Sequence, residues 1–318
     1  MKCLVTGGAG FIGSSLTDRL LENGHQVIVY DNFSTGAREF LSDAYANSAF
    51  KLIEGDLLDI PGLADAMRGV DIVFHLAANA DVRFGTSHPE KDLQQNTIAT
   101  FNVLEAMRAN GIGRIVFSST GSVYGEAKIV PTPEDAPFPI QTSLYAASKL
   151  AGEGLLEAYC EGFGLQAWIF RFVSVLGPRY THGHVFDFYR MLRANPDQLH
   201  VLGDGKQQKS YMAVSDCIDG MLLAVRQAKA KINIFNLGTD EVCTVNQSID
   251  WICQRLGLKP VLSYSGGSRG WIGDNPLIYL DTRSIRELGW VPKSTIREAI
   301  ISTLEWLLSN SWVYDRQK

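Results

Sequence analysis

The run Thr6-Gly7-Gly8-Ala9-Gly10-Phe11-Ile12-Gly13 constrains this chain more than any other stretch of its 318 residues. Gly8, Gly10 and Gly13 stand at Gly-x-Gly-x-x-Gly spacing, and Gly7 adds a Gly-x-x-Gly-x-x-Gly register. The loop follows a strand-like run and opens a helical pattern carried by Ile12, Leu16 and Leu20. Glycines there let backbone N–H groups approach a pyrophosphate, whose charge then faces a helix N-terminus. The pattern also asks for an acid at the end of the next strand, about 20 residues on. Asp31 stands there. A carboxylate at that point accepts hydrogen bonds from an adenosine ribose and repels a 2′-phosphate, which favours NAD over NADP.

Strand-like runs at 2–6, 26–30, 50–54, 71–76, 114–118 and 166–170 alternate with helical patterns, among them 96–107. That rhythm predicts an α/β fold, a doubly wound parallel sheet with helices on both faces and right-handed crossovers. After about residue 175 the rhythm turns irregular and richer in Gly and Pro. Elements expected there are a helix at 184–194, a strand at 199–202 and a helix at 216–227. A last helix follows Thr295, with Glu298 completing a capping box and Ile296, Ile300, Leu304 and Leu307 on one face. The division expected is a dinucleotide-binding domain over 1–175 and a smaller substrate-binding lobe over 176–318. Some segments of that lobe return to the sheet, and a cleft lies between the two parts.

A net charge of −5 offers no electrostatic capture of nucleic acid or anionic membrane. No apolar run reaches the ~18 residues of a membrane span, and the N-terminus shows no signal-peptide cleavage pattern. Cys3, Cys160, Cys217, Cys243 and Cys253 are odd in number and form no Cys-x-x-Cys pair. They read as reduced thiols of a cytoplasmic protein.

Tyr145-Ala146-Ala147-Ser148-Lys149 places a phenol and an ammonium four residues apart, on one face if helical. A free tyrosine, with a pKa of about 10, is a poor base at neutral pH; lowering it by about three units needs about 4 kcal/mol of preferential phenolate stabilisation. A lysine cation and a nicotinium charge can supply it in a water-poor cleft. Ser118-Ser119-Thr120-Gly121-Ser122 ends a strand, where α/β sheets place ligands, and offers a hydroxyl to a reacting oxygen. His75 reads as a packed core residue, and Tyr124 as packing beneath the site. His182-Gly183-His184 lacks the partner set of a metal site and reads as a loop bordering the substrate. Arg83 either reaches cofactor or substrate, or makes a surface salt bridge.

With these pieces in order, the chain resembles the extended short-chain dehydrogenase/reductases, the NAD-dependent epimerase/dehydratase group, and is most similar to UDP-galactose 4-epimerase-like proteins. The matching segments are the glycine loop, Tyr30-Asp31-Asn32, Gly55-Asp56-Leu57, His75-Leu76-Ala77-Ala78, Asn96, Ser118-Ser119-Thr120, Val123-Tyr124-Gly125, Tyr145 with Lys149, and Gly177-Pro178. Gly203-Asp204-Gly205, Lys209-Ser210-Tyr211, Asp216 and Gly273-Asp274 match more loosely. The resemblance implies a Rossmann fold and an NAD that stays bound. Its cofactor contacts would come from Gly7, Gly10, Phe11, Ile12, Gly13, Asp31, Asn32, Asp56, Leu57, Leu76, Ala77, Ala78, Asn96, Ser118, Tyr145 and Lys149. Thr120 would polarise a sugar hydroxyl, Tyr145 act as base and acid, and Lys149 bind the nicotinamide ribose and tune Tyr145. Hydride would leave the sugar C4 for NAD⁺, and the 4-keto intermediate would turn over and take it back on its other face. Substrate contacts implied are Arg83, Thr120, Ser122, Tyr145, Ser174, Val185, Lys209, Arg269 and Asp274. A homodimer through helices near 90–109 and 145–163 is implied as well.

The chain departs from the family at several points. Lys209 stands where an arginine usually meets the diphosphate, and lysine lacks the bidentate fork. Trp271 occupies the slot of a second phosphate arginine, and Arg269 lies two residues away. Ser174 replaces an asparagine. Ile278 falls at the position that gates N-acetyl sugars. Three readings compete: C4-epimerisation of a nucleotide sugar, a related 4,6-dehydratase or decarboxylase, and a non-catalytic NAD(H) sensor. Lyases typically carry acids after the catalytic threonine, where this chain has Gly121 and Ser122; a sensor is expected to have lost the Tyr/Lys pair, which is present. UDP-glucose, UDP-N-acetylglucosamine and UDP-glucuronate forms remain open.

Overall fold

The computed structural model describes residues 1–79, 84–270, 274–275 and 277–316. In its first half, β1 (Lys2–Thr6), α1 (Phe11–Glu22), β2 (Gln26–Asp31), β3 (Phe50–Glu54), α2 (Ile60–Ala66) and β4 (Ile72–His75) alternate strand and helix. Short helices α3 (Phe84–Ser87) and α4 (Pro89–Asp92) lead through a π turn at Leu93–Ile98 into α5 (Ala99–Ala109). Then come β5 (Arg114–Thr120), α6 (Leu144–Phe163) and β6 (Gln166–Phe172).

The remainder contains β7 (Ser174–Leu176), α7 (His184–Ala194), β8 (Gln198–Val201), β9 (Gln208–Lys209), β10 (Tyr211–Ala213) and α8 (Val214–Gln227). It continues with β11 (Ile232–Leu237), β12 (Cys243–Thr244), α9 (Val245–Leu256), β13 (Val261–Tyr264), α10 (Arg283–Glu287) and α11 (Ile296–Ser309).

Seven strands form one parallel sheet in the order β11-β6-β5-β4-β1-β2-β3. A parallel sheet covered on both faces buries near-continuous apolar strands, which is why Cys3, Leu4 and Val5 are all without solvent exposure. One face packs Leu16 and Leu20 of α1 with Ile218 and Met221 of α8. The other packs Leu63 of α2, Val103 and Met107 of α5, and Leu156 of α6. The sheet is therefore doubly wound, and it reverses between β1 and β4, where such folds bind ligands.

The chain returns to this sheet after leaving it, since α8 and β11 belong to it although they follow residue 176. Both β5 and β6 run two residues beyond the sequence expectation, to Thr120 and Phe172. The helix expected over 96–107 begins inside the π turn. The second lobe has its own core, in which Phe186 of α7, Ile252 of α9 and Ile300 and Leu304 of α11 meet. Its strands pair only two by two, β7 with β10, β8 with β13 and β9 with β12.

Helix ends follow their local chemistry. In α11, Glu298 N donates to Thr295 Oγ1 at 3.2 Å and Thr295 N donates to Glu298 Oε2 at 2.8 Å, the reciprocal capping box. All five cysteines are buried free thiols. Among the described residues, no helix is long and apolar enough to cross a membrane.

Leu304 is fully buried on the α11 face. Leu304→Ala is expected to lower unfolding free energy by about 2–5 kcal/mol, read as a fall in the midpoint of urea denaturation. An unchanged midpoint would mean that α11 does not share the core.

Candidate active site

The glycine loop is built by close approach. Gly7 has a φ of +68°, and a Cβ there would sit 2.7 Å from Ala77 Cα, against the end of β4. A Cβ on Gly13 would come within 2.1 Å of the Gly7 carbonyl oxygen. Gly10 N donates to that same oxygen at 3.1 Å, closing the turn. Helix α1 starts at Gly10 with no side-chain cap and no acid in its first turn, so its dipole end has no anionic group of its own.

Gly7, Gly10, Phe11, Ile12 and Gly13 line a cavity of about 690 Å³ that runs from the sheet to the second lobe. The Asp31 carboxylate lies on its wall, accepting from Ala9 N at 2.9 Å and Phe33 N at 2.8 Å. Burial raises its pKa, and those two backbone donors oppose the rise. Asn32, Leu57, Leu76, Ala77 and Ala78 line the same trough. Asp56 does not; its carboxylate accepts from Asn32 Nδ2 at 2.9 Å and from Leu58 N at 2.9 Å, and so braces the wall from behind. An uncapped helix end, a glycine-built turn and an acid at the neighbouring strand end fit an adenine dinucleotide.

Thr120, at the tip of β5, and Tyr145, in the first turn of α6, meet on the cavity wall, with Thr120 Oγ1 accepting from Ser122 N at 3.1 Å. Ser143 starts the helix there by accepting from Ala146 N at 3.1 Å. Burial pushes the Tyr145 phenol up to about 12; the neighbouring Thr120 hydroxyl opposes this, and the Asp92 charge adds to it. Lys149 follows one turn later but stands behind the wall, 2% exposed. Its ammonium donates to Ser118 O at 2.8 Å and lies 4.7 Å from the centroid of the Phe117 ring. Burial brings the Lys149 pKa down to about 7, with Glu153 resisting.

Asn96 is buried under the site, donating to Ser148 Oγ at 2.8 Å and accepting from Asn79 N at 2.8 Å. It ties the segment after β4 to α6. His75 is held between Thr6 Oγ1 (2.7 Å) and Thr100 Oγ1 (3.0 Å), with burial bringing its pKa down to about 3. Tyr124 is buried, with its hydroxyl donating to Asn236 Oδ1 at 2.9 Å.

On the substrate side, Ser122, Ser174, Lys209, Asp274 and Ile278 line the cavity. Lys209 Nζ lies 2.5 Å from Asp274 Oδ1 and also donates to Asn275 O. Val185 is fully buried and absent from the lining. Arg269 is paired with Glu126 and is also absent from the lining. Arg83, Trp271 and Gly273 lie outside the described residues.

Several wall residues carried no signal in the sequence, among them Ser34 and Thr35 after Asp31 and Gln95 of the π turn. Only the first pair was findable, by its place beyond the strand end that carries the acid. His182 and His184 do border the cavity. His184 is hydrogen-bonded with Ser248 Oγ at 2.9 Å, and burial, helped by Lys209, brings its pKa down to about 3.

The model of the NAD dependent epimerase/dehydratase family matches residues 3–238. A UDP-glucose 4-epimerase of Mycolicibacterium smegmatis is 34% identical over 319 residues, covering 98% of this chain and 100% of that protein. The UDP-glucose 4-epimerase of Thermotoga maritima, solved with UDP-glucose, is 35% identical with a TM-score of 0.88, covering 98% of this chain and 100% of its own. A UDP-glucuronic acid 4-epimerase of Bacillus cereus, solved with UDP-glucuronic acid and NAD, is 28% identical with a TM-score of 0.90, covering 97% and 99%.

Because a methyl group at Gly13 overlaps the Gly7 carbonyl, Gly13→Ala is expected to distort the loop. At an overpacking cost of about 1–3 kcal/mol, NAD affinity falls about tenfold or more. Release of nucleotide from the purified variant by ultrafiltration, read at 260 nm, checks this; full retention would contradict it.

Proposed function

The chain belongs to the NAD dependent epimerase/dehydratase family, and we propose that, as an NAD-dependent nucleotide-sugar 4-epimerase, it interconverts UDP-glucose and UDP-galactose. The observation that carries the reading is the meeting of Thr120 and Tyr145 on a cavity wall continuous with the dinucleotide trough. When bound, the nicotinamide supplies a hydride acceptor and donor for the sugar C4.

The chain's own residues do the rest. A sugar C4 hydroxyl entering between Thr120 and Tyr145 meets both side chains, with Thr120 orienting it. Tyr145 takes the hydroxyl proton and later returns it. Its phenol, pushed up to about 12 by burial, needs positive charge close by to work near neutral pH. Lys149, one turn along the same helix, is the protein's source of that charge. The phenol is half-buried on the cavity wall and the ammonium is buried behind it, which limits the water that reaches the proton.

Gly121 supports epimerisation over a lyase reaction. A Cβ there would lie 2.9 Å from Ile278 Cγ2 and 3.2 Å from Phe172 O, so an acidic side chain at 121 would displace Ile278, and Ser122 on the wall offers a hydroxyl where a lyase needs a carboxylate to relay a C5 or C6 proton. The same packing of Ile278 narrows the sugar end, which supports an unsubstituted hexose over an N-acetyl form. Residues 1–175 with α8 and β11 are read as the dinucleotide-binding part. Five buried thiols support a cytoplasmic setting.

A homodimer is part of the same reading. Leu93, Ile98 and Phe101 on the π turn and α5 are 53%, 40% and 42% exposed, and Leu144 and Phe163 of α6 are 46% and 56% exposed. Such apolar side chains on neighbouring helices fit a second copy of the chain. Light scattering is expected to give twice the 35.0 kDa chain mass, and Phe101→Glu to shift it toward the monomer. A monomeric wild type would refute the dimer.

The central test incubates the purified protein, without added cofactor, with UDP-glucose, UDP-N-acetylglucosamine and UDP-glucuronate, and reads products by NMR. Inversion at C4 of UDP-glucose is expected. Tyr145→Phe is expected to lower turnover about a hundredfold or more with NAD still bound, since only acid–base catalysis is lost. Inversion confined to another sugar would overturn the substrate, a 4-keto-6-deoxy sugar or CO₂ would overturn the reaction, and unaltered turnover by Tyr145→Phe would overturn the role of the phenol.

A further inference from the structure

Beneath Thr120 lies a charged cluster that the reaction described above does not use. Glu153, one turn beyond Lys149 on α6, and Arg171 on β6 form an ion pair in which both side chains are 2% exposed. Arg171 Nη2 donates to Glu153 Oε2 at 2.7 Å, and Nε lies 3.1 and 3.2 Å from the two carboxylate oxygens. Ser119 Oγ donates to Glu153 Oε1. Arg171 Nη1 donates to Tyr124 OH at 2.7 Å and to Glu134 O at 2.8 Å. The guanidinium carbon lies 5.0 Å from the Tyr124 ring centroid and 4.9 Å from that of Phe138. An ion pair this deep costs several kcal/mol per ion to desolvate and is weak grounds for stability alone. It calls for another reason.

That reason lies in how a strand places its side chains. Alternate residues of β5 share a face, so Phe117 and Ser119 both meet α6, and Thr120 follows Ser119 at the strand's tip. Glu153 holds Ser119 from the helix side, while Arg171 holds Glu153 from the adjacent strand. We propose that Glu153 and Arg171 are positioning residues for the epimerase: their pair clamps the tip of β5 to α6, setting Thr120 and Lys149 relative to Tyr145. The proposal rests on the C4-epimerase reading. It adds an electrostatic consequence, because Glu153 is also the carboxylate that keeps the Lys149 ammonium charged against burial.

The charges around Lys149 come from several elements. Glu153 and Tyr145 share its helix, with Glu157 one turn beyond Glu153. From β4 it meets the His75 imidazole, which stays neutral with its pKa down at about 3. Asp92 of α4 acts on Tyr145, and Arg171 is taken up by Glu153. Removing the Glu153 charge therefore lowers the Lys149 pKa. The ammonium is lost at a lower pH, and the alkaline limb of activity moves downward.

The test compares variants of the NAD-loaded enzyme with the wild type, whose C4 inversion of UDP-glucose is measured first; a wild type inactive on every sugar would fail the functional reading and not this one. The charge-balanced variant Glu153→Gln/Arg171→Met avoids stranding one buried ion. It is expected to fold and keep NAD, to lose about tenfold in kcat with KM changed less than about twofold, and to show an alkaline limb lower by about one pH unit. Glu153→Asp, which keeps the charge, is expected to leave that limb in place. Should the double variant not fold, Ser119→Ala removes the clamp with both charges left intact, and is expected to lower kcat several-fold at an unchanged melting temperature. A wild-type pH profile and kcat in the double variant, or a wild-type kcat in Ser119→Ala, would overturn the proposal and leave the pair a packing feature.

Discussion

Carrying an ammonium into the interior is the costly step around which this molecule is arranged. Lys149 gives up water, and the lowering of its pKa to about 7 measures the strain of holding charge there. The Ser118 carbonyl, the Phe117 ring and the Glu153 carboxylate compensate in part. These partners sit on β5 and on the helix itself, so α6 has one rotation about its axis that satisfies the ammonium. Tyr145 precedes Lys149 by one turn and is thereby placed on the cavity wall beside Thr120. Ser148, between them, is held by Asn96. Reacting groups are thus fixed by backbone elements, and the loops carry the rest of the wall.

The dinucleotide half was legible in the sequence because its signals are local. A glycine loop must lie where strand meets helix, and β1 and β3 have the ends that their apolar patterns gave. Thr295 and Glu298 disclosed the start of α11 through hydrogen bonds that span three residues. The strand tips were harder to read. β5 runs through Ser119 and Thr120, polar residues that break an apolar run although they stay in the ladder opposite Arg171 and Phe172. The π turn at Leu93–Ile98 has no periodic pattern of its own to announce it.

Pairings between distant residues left no trace in the sequence. Ser119 and Glu153 lie 34 positions apart, and Tyr124 and Asn236 lie 112 apart; nothing in either neighbourhood marks them as partners. Arg171 fell just beyond the strand expected over 166–170, whereas it lies in β6 among the most deeply buried large side chains. A buried charge in an apolar run is still a usable sign, since it implies a partner of opposite charge nearby. The second lobe was obscure for another reason. Its strands pair two by two, β9 and β12 through two residues each, and such short pieces carry little alternation.

Lys209 shows how a single departure from the family pattern changes what its neighbours do. Its ammonium binds Asp274 Oδ1 and the Asn275 carbonyl, and Gly270 N donates to Asp274 Oδ2 at 3.0 Å. Asp274, 3% exposed, thereby joins β9 to Gly270. An arginine has five donors in a planar fork and can serve a carboxylate and a phosphate together, whereas a lysine presents one compact charge. Lys209 is thus already committed to a buried carboxylate and a carbonyl, so in the reading proposed above a diphosphate at this wall would compete with Asp274 for one compact charge.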